Sequence, residues 1–323
     1  MASDMKTCVR CLQSVGSMTT DEGLLCLLSQ ADGRLVEKVF EKDQLRSQRR
    51  VASDPREDTS AAYIVTEHQA FIVYIGESNQ LQCSAFVRRR EKWKPVALKG
   101  LGDVVVHPTS RVSGTPTPNG AVVFYQDTDG AICTVRYIEE TNSWEKGMPV
   151  STNARIGTPI CTFASDKAVV VSVVNEDGDV CCHVRDFGIG EWTETIIPNS
   201  RGEEPVTNIL VTQDMESGRL EAFVLGKAEV VKIGEDGNRV TLGSVSSSTG
   251  VFEPASAAES ALRIFRRLFE GYEHTVVYHH IVVHNYETPY YGSSGYVYYG
   301  PWDRAQKVNI SERCGHYFVD PWC

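Results

Sequence analysis

The stretch Ala121-Val-Val-Phe-Tyr-Gln-Asp-Thr-Asp-Gly-Ala-Ile-Cys-Thr-Val-Arg-Tyr137 places an apolar run on each side of an Asp-Gly pair. Gly and Asn tolerate the positive φ that a tight turn needs, so the stretch reads as a β-hairpin. The pattern recurs. Tight-turn pairs stand at Asp32-Gly33, Ser78-Asn79, Asp129-Gly130 and Asp177-Gly178, at intervals of 46, 51 and 48 residues. Three of them are followed, 14 residues after the Gly or Asn, by a tryptophan: Trp93, Trp144 and Trp192. The first unit has Leu45 in that region. Gly114-Thr115-Pro116 and Gly157-Thr158-Pro159 mark what reads as the same strand start in two units. A fifth unit begins near Arg219, with Phe223-Val-Leu, a shortened turn at Gly226-Lys227 and a second strand at Glu229-Val-Val-Lys-Ile233.

Multi-stranded units of about 48 residues with almost no helix predict an all-β fold, a β-propeller. It would have five blades, or six with a degenerate last one. A blade cannot bury both faces alone, and packing blades round an axis buries them and leaves only short edges. The predicted organisation is an N-terminal segment over 1–22, blades over 23–245, and a helix and C-terminal strands over 246–323 that complete the ring. The Ser-rich stretch Ser244–Gly250 reads as a linker. A helix is expected near 254–270, where Leu262, Phe265, Leu268 and Phe269 recur at helical spacing.

The chain of 323 residues carries 32 Lys+Arg against 42 Asp+Glu, a net charge of −10. That balance argues against sequence-independent nucleic-acid binding, and no nucleic-acid partner is expected. No run of eighteen apolar residues is present, so no membrane span is expected. Residues 1–20 contain Asp4, Lys6 and Arg10 and no apolar core of a signal peptide. The expected location is therefore the cytoplasm, or the secretory pathway if a leader has been removed. Ten cysteines are too few for a disulfide scaffold. Cys8-Val-Arg-Cys11 is a CxxC with no second pair to complete a zinc site.

Val123-Phe-Tyr-Gln-Asp-Thr-Asp-Gly-Ala-Ile132, with Trp144-Glu-Lys-Gly147 and Gly157-Thr-Pro159, resembles a repeat of the fungal fucose-specific lectins. The resemblance is good here, fair over 168–212 and weak over 23–110; residues 250–323 do not match it well. It implies a six-bladed propeller with fucose bound between blades by an Arg before the turn, a Glu after it and a stacking aromatic. In this sequence the Arg position holds Leu25, Phe71, Val122 and Val170, and the Glu position holds Glu37, Cys83, Thr134 and Cys182. Only Glu37 survives, without its Arg. The resemblance therefore supports the fold and argues against the usual ligand.

With the sugar chemistry replaced by apolar groups, an apolar small-molecule substrate is expected. The tail concentrates aromatic and proton-transfer groups. His279, His280, His284, Tyr290, Tyr291 and Arg304 are the candidate catalytic residues, and Tyr298, Tyr299 and Trp302 the candidate substrate-binding residues. His280 and His284 would lie about 13 Å apart along a strand, too far to share one ion, so no metal is expected there. GxSxG, Walker A, HExxH and GxGxxG motifs are all missing, and no cofactor is expected.

The sequence also resembles the lectin-like hetero-Diels–Alderases of tropolone–sesquiterpene biosynthesis in having a degenerate lectin repeat. That resemblance implies a cofactor-independent enzyme joining a tropolone-derived quinone methide to a humulene-type sesquiterpene. The alternatives are a glycan-binding lectin with altered sites and a protein-binding propeller scaffold. Nothing in the sequence fixes the oligomeric state.

Overall fold

The computed structural model describes residues 2–20, 23–41, 43–66, 68–165, 167–202, 204–213, 219–246 and 251–255, together with three short strands in the tail. The chain opens with helix α1 (Ala2–Gln13). Five antiparallel sheets follow, each a meander in sequence order. The first blade is β1 (Gly16–Thr19), β2 (Leu24–Ala31), β3 (Arg34–Glu41) and β4 (Gln44–Ala52). The second is β5 (Ala61–Val65), β6 (Ala70–Ile75), β7 (Leu81–Val87) and β8 (Lys92–Val96). The third is β9 (Val112–Thr117), β10 (Gly120–Gln126), β11 (Ile132–Ile138) and β12 (Ser143–Lys146). The fourth is β13 (Cys161–Ala164), β14 (Ala168–Val174), β15 (Val180–Asp186) and β16 (Trp192–Ile196). The fifth has five strands: β17 (Asn208–Gln213), β18 (Leu220–Leu225), β19 (Glu229–Gly234), β20 (Arg239–Val245) and β21 (Phe252–Pro254). The tail contributes a small sheet of β22 (Tyr290–Tyr291), β23 (Tyr296–Tyr298) and β24 (Val308–Asn309).

The predicted β-propeller is the fold, with five blades in the described ring. The predicted turns lie between the second and third strands of their blades. Asp32 and Gly33 both have positive φ, at 51° and 68°, and close a two-residue hairpin between Ala31 and Arg34. In the third and fourth blades the loops are longer, and Gly130 and Gly178 take φ of 88° and 93°. Trp93, Trp144 and Trp192 all fall on the fourth strand of a blade.

The strand starts differ from expectation. Gly114-Thr115-Pro116 lies within β9, whereas Gly157-Thr158-Pro159 precedes β13. The residues equivalent to Thr158 are Thr59 and Ser110, at intervals of 51 and 48 residues. All three are buried. Their hydroxyls accept the backbone N–H groups of Ile75, Gln126 and Val174 at the end of the next blade's second strand. Each hydroxyl satisfies a buried donor that the ladder leaves open. Arg56, three residues before Thr59, reaches further. Its guanidinium donates to Asn79 Oδ1 and to the carbonyls of His107 and Ser110, tying the loop after one blade to the loop after the next.

Helix α1 was not foreseen. It lies across the seam between the fifth and first blades, with Cys8, Val9 and Leu12 packed against Phe223, Val230 and Leu242. Arg10 pairs with Asp43 and stands over the Phe40 ring, both in the first blade. Asn208 Nδ2 donates to the Leu12 carbonyl at 2.7 Å. The helix expected near 254–270 falls almost wholly outside the described residues, and Phe252–Pro254 is strand. Among the described residues, no helix is long and apolar enough to cross a membrane.

Candidate functional site

Two kinds of space could hold a ligand in this ring: the seams between blades and the axis. At the seam between the second and third blades, Phe71 stacks edge-on against Tyr137 and Trp144, with centroids 4.8 and 5.7 Å apart. Cys83 joins the same core cluster. At the next seam Val122 and Phe124 pack with Val169 and Val171, and Phe124 meets Trp192 edge-on at 6.0 Å. Between the fourth and fifth blades Val170 and Cys182 pack with Ile209 and Val231. Leu25, Phe71, Val122 and Val170 are all buried. Apolar side chains therefore occupy the positions that the sequence resemblance assigned to a sugar-binding Arg, and burying them here is favourable without any ligand.

The first seam differs. Glu37 on β3 is only 2% exposed. Its Oε1 accepts the Tyr63 hydroxyl at 2.6 Å, and its Oε2 accepts Arg49 Nη1 at 3.1 Å and Trp93 Nε1 at 3.2 Å. Tyr63 and Trp93 come from the second blade and Arg49 from β4 of the first. Glu37 is thus not without an arginine: Arg49, on the neighbouring strand, supplies one in place of Leu25. Three donors offset the cost of burying the carboxylate. Arg49 also stands over the Phe86 ring at 5.5 Å, and Tyr63 meets Trp93 edge-on. Burial, with the Cys26 thiol and the Glu37 carboxylate nearby, pushes the Tyr63 phenol well above its ordinary range. Counting along the sequence missed Arg49 because it lies across the ladder, paired with Glu37 in the β3–β4 register.

The axis holds a partly open cavity of ≈190 Å³. The innermost strands β1, β5, β9, β13 and β17 and the end of α1 form its wall. Val15, Ala62, Val112, Ile160 and Leu210 supply apolar surface, and among the described residues that line it Arg111 is the one charged side chain. Ser113 Oγ and Thr162 Oγ1 lie 2.9 Å apart across neighbouring blades. Asn208 and Arg111 line the cavity while already donating to Leu12 and Asp58 carbonyls. Sequence reading did not find this wall, because it is assembled from first strands that no turn or tryptophan marks.

The predicted tail site is largely unplaced. His279, His280, His284, Tyr299, Trp302 and Arg304 lie outside the described residues. Tyr290 and Tyr291 form β22 and Tyr298 ends β23, with Tyr290 and Tyr298 as register partners. The CxxC pair lies on α1, where burial raises both thiols: Cys11 to about 11, and Cys8 well above its ordinary value. Such thiols are poor nucleophiles.

No protein-family model and no curated protein matches the sequence. Solved structures do resemble the fold. AofleA from Arthrobotrys oligospora is 14% identical, with a TM-score of 0.57, over 71% of each chain. A variant of the Aleuria aurantia lectin, solved with Fucα1-6GlcNAc, is 14% identical with a TM-score of 0.54, over 74% of this chain and 80% of that one. The SapL1 lectin in complex with α-methyl fucoside is 14% identical with a TM-score of 0.52, at the same coverage. The chain is a lectin-like β-propeller in fold. At this identity the likeness speaks for architecture alone.

Proposed function

We propose that this propeller holds an apolar small molecule in its axial cavity instead of sugars in its seams. One contrast carries the reading: apolar residues fill the sugar-type positions at Leu25, Phe71, Val122 and Val170, while the axis keeps an open, mixed-lined space. An apolar wall with a few polar groups suits a small organic ligand. Arg111, Ser113, Thr162 and Asn208 would give it direction.

In its most specific form the reading is a cofactor-independent hetero-Diels–Alderase of fungal secondary metabolism. A hydroxymethyl tropolone would lose water: its C–O bond breaks as the hydroxyl takes a proton, and the ring hydroxyl gives one up. The resulting quinone methide would form one C–C and one C–O bond with a humulene-type alkene. In this reading Arg111 and the hydroxyls hold the tropolone oxygens, and His279, His280 or His284 moves the proton. The cavity is smaller than the ~300–1,000 Å³ of ordinary ligand pockets. It would enclose one ring-sized reactant and receive the sesquiterpene from its open side. Holding two reactants in register supplies most of the acceleration such a step needs.

The test is a titration of the chain with tropolone, and an assay with hydroxymethyl tropolone and humulene, each repeated with Ser113→Leu. The expected result is saturable binding and a single adduct stereoisomer, both lost in the variant. Wild-type binding and turnover in Ser113→Leu would remove the axial reading.

A second reading rests on the first seam, where Glu37, Arg49 and Trp93 retain a carboxylate, a guanidinium and an aromatic together. A sugar there would have to displace Arg49, whose side chain is 29% exposed. Calorimetric titration with methyl α-fucoside decides it. A micromolar isotherm lost in Glu37→Gln favours the lectin, and a flat wild-type isotherm removes it.

A further inference from the structure

We propose that Cys181, His183 and Glu194 form a zinc site on the outer strands of the fourth blade. Cys181 and His183 are two apart on β15 and so share one face of the strand. Glu194 is the direct register partner of His183 on β16. Cys181 Sγ, one His183 ring nitrogen and one Glu194 carboxylate oxygen all lie within 4.8 Å of one another. His183 Nδ1 is 3.7 Å from Glu194 Oε2, too long for a hydrogen bond. Zinc bonds of ~2.0–2.3 Å put tetrahedral ligands about 3.3–3.8 Å apart. Drawing the three atoms onto one ion therefore needs them to close by at most about 1.0–1.5 Å, and the Glu194 side chain, 47% exposed, is free to move.

The imidazole is also short of partners. His183 is 3% exposed, and its Nε2 is buried without a hydrogen-bond partner among the described residues. Buried polar atoms are almost always paired, and an orphan is costly. The fold does not demand this trio. The equivalent places in the third blade hold Cys133, Val135 and Lys146, with Val135 opposite Lys146 as His183 is opposite Glu194. A thiolate, an imidazole and a carboxylate are the donor types zinc takes, and three protein ligands leave a fourth position for water on the Glu194 side. Bound there, the ion clips the outermost strand of the blade to its neighbour.

Cobalt(II) titration of the full chain, stripped of metal with a chelator, tests the proposal. The expected result is a sulfur-to-cobalt charge-transfer band and tetrahedral d–d bands that saturate at one ion per chain and are abolished by added zinc. Cys181→Ser and His183→Gln should lose the bands, while Cys133→Ser keeps them. Glu194→Gln changes an exposed side chain and guards against misfolding of the buried variants. Added zinc should raise the melting temperature of the wild type and not of Glu194→Gln. No thiolate band in the wild type, an unchanged band in Cys181→Ser, or an equal zinc-induced shift in Glu194→Gln would each overturn the site.

Discussion

Trp93, on the fourth strand of the second blade, donates its indole N–H at 3.2 Å to Glu37, on the third strand of the first. The bond crosses a blade seam and ends on a carboxylate with almost no access to water. A hydrogen bond to a buried charge is worth about 1.5–3 kcal/mol. Trp93→Phe should cost at least that much in urea unfolding. Trp144→Phe, at a seam held by apolar and aromatic contacts, should cost less. Equal losses would mean that the Glu37 bond adds little to packing.

Gly16 sits where β1 approaches β5 most closely. A Cβ there would collide with the Ala61 carbonyl oxygen. The Ala61 N–H meanwhile donates to the Val15 carbonyl at 2.6 Å, so the backbone has little room to retreat. Overpacking of this kind costs about 1–3 kcal/mol. Gly16→Ala should lower the urea midpoint accordingly, and an unchanged midpoint would show that the inner strands can separate.

Removing the Asn208 amide should loosen α1 from the fifth blade. Asn208→Ala loses the bond to the Leu12 carbonyl, worth about 0.5–1.5 kcal/mol. Limited proteolysis should then cut within residues 2–13 sooner than in the wild type. If the cleavage rate stays the same, the apolar face alone holds the helix.

Alkaline pH should destabilise the fold. Burial pushes the thiols of Cys26 and Cys161 to about 12, and that of Cys182 to about 11, from an ordinary 9.0. The unfolded chain releases these protons near pH 9, while the folded chain keeps them until about 11–12. Above pH 9 the unfolded state therefore binds fewer protons, and stability falls as pH rises through that window. Tyr63 and Tyr74, also raised by burial, add to the same trend. Melting temperature followed from about pH 7.5 to 10.5 should hold steady and then drop. A flat profile to the end would mean that the thiols are open to water in the folded state.

The turns and tryptophans were legible because each is a local signal. Gly130 and Gly178 announce a positive φ, and Trp144 and Trp192 mark the outer strand 14 residues later. What escaped was written across strands. Arg49 pairs with Glu37 through the β3–β4 register, and Glu194 meets His183 through β15–β16. Neither pairing has a sequence signature until the register is known. The repeat of Thr59, Ser110 and Thr158 was hidden for another reason: only a hydroxyl is required there, and Ser and Thr are common. Helix α1 is short, and of its buried residues Cys8, Val9 and Leu12 only Cys8 drew notice, as half of the Cys8-Val-Arg-Cys11 pair. The axial wall gave little signal beyond the strand that Gly114 marks, since Gly16, Ala61, Ala62 and Gly114 answer to the closeness of neighbouring strands.

The placement of α1 sets an order on how the chain matures. Its contact face is translated well before Phe223, Val230 and Leu242, which cover that face and are made more than two hundred residues later. At ~5–20 residues per second, that interval is roughly 10–50 s. Throughout it Val9 and Leu12 have no native partner from the fifth blade. The α1 seam therefore cannot be sealed before the fifth blade has been translated.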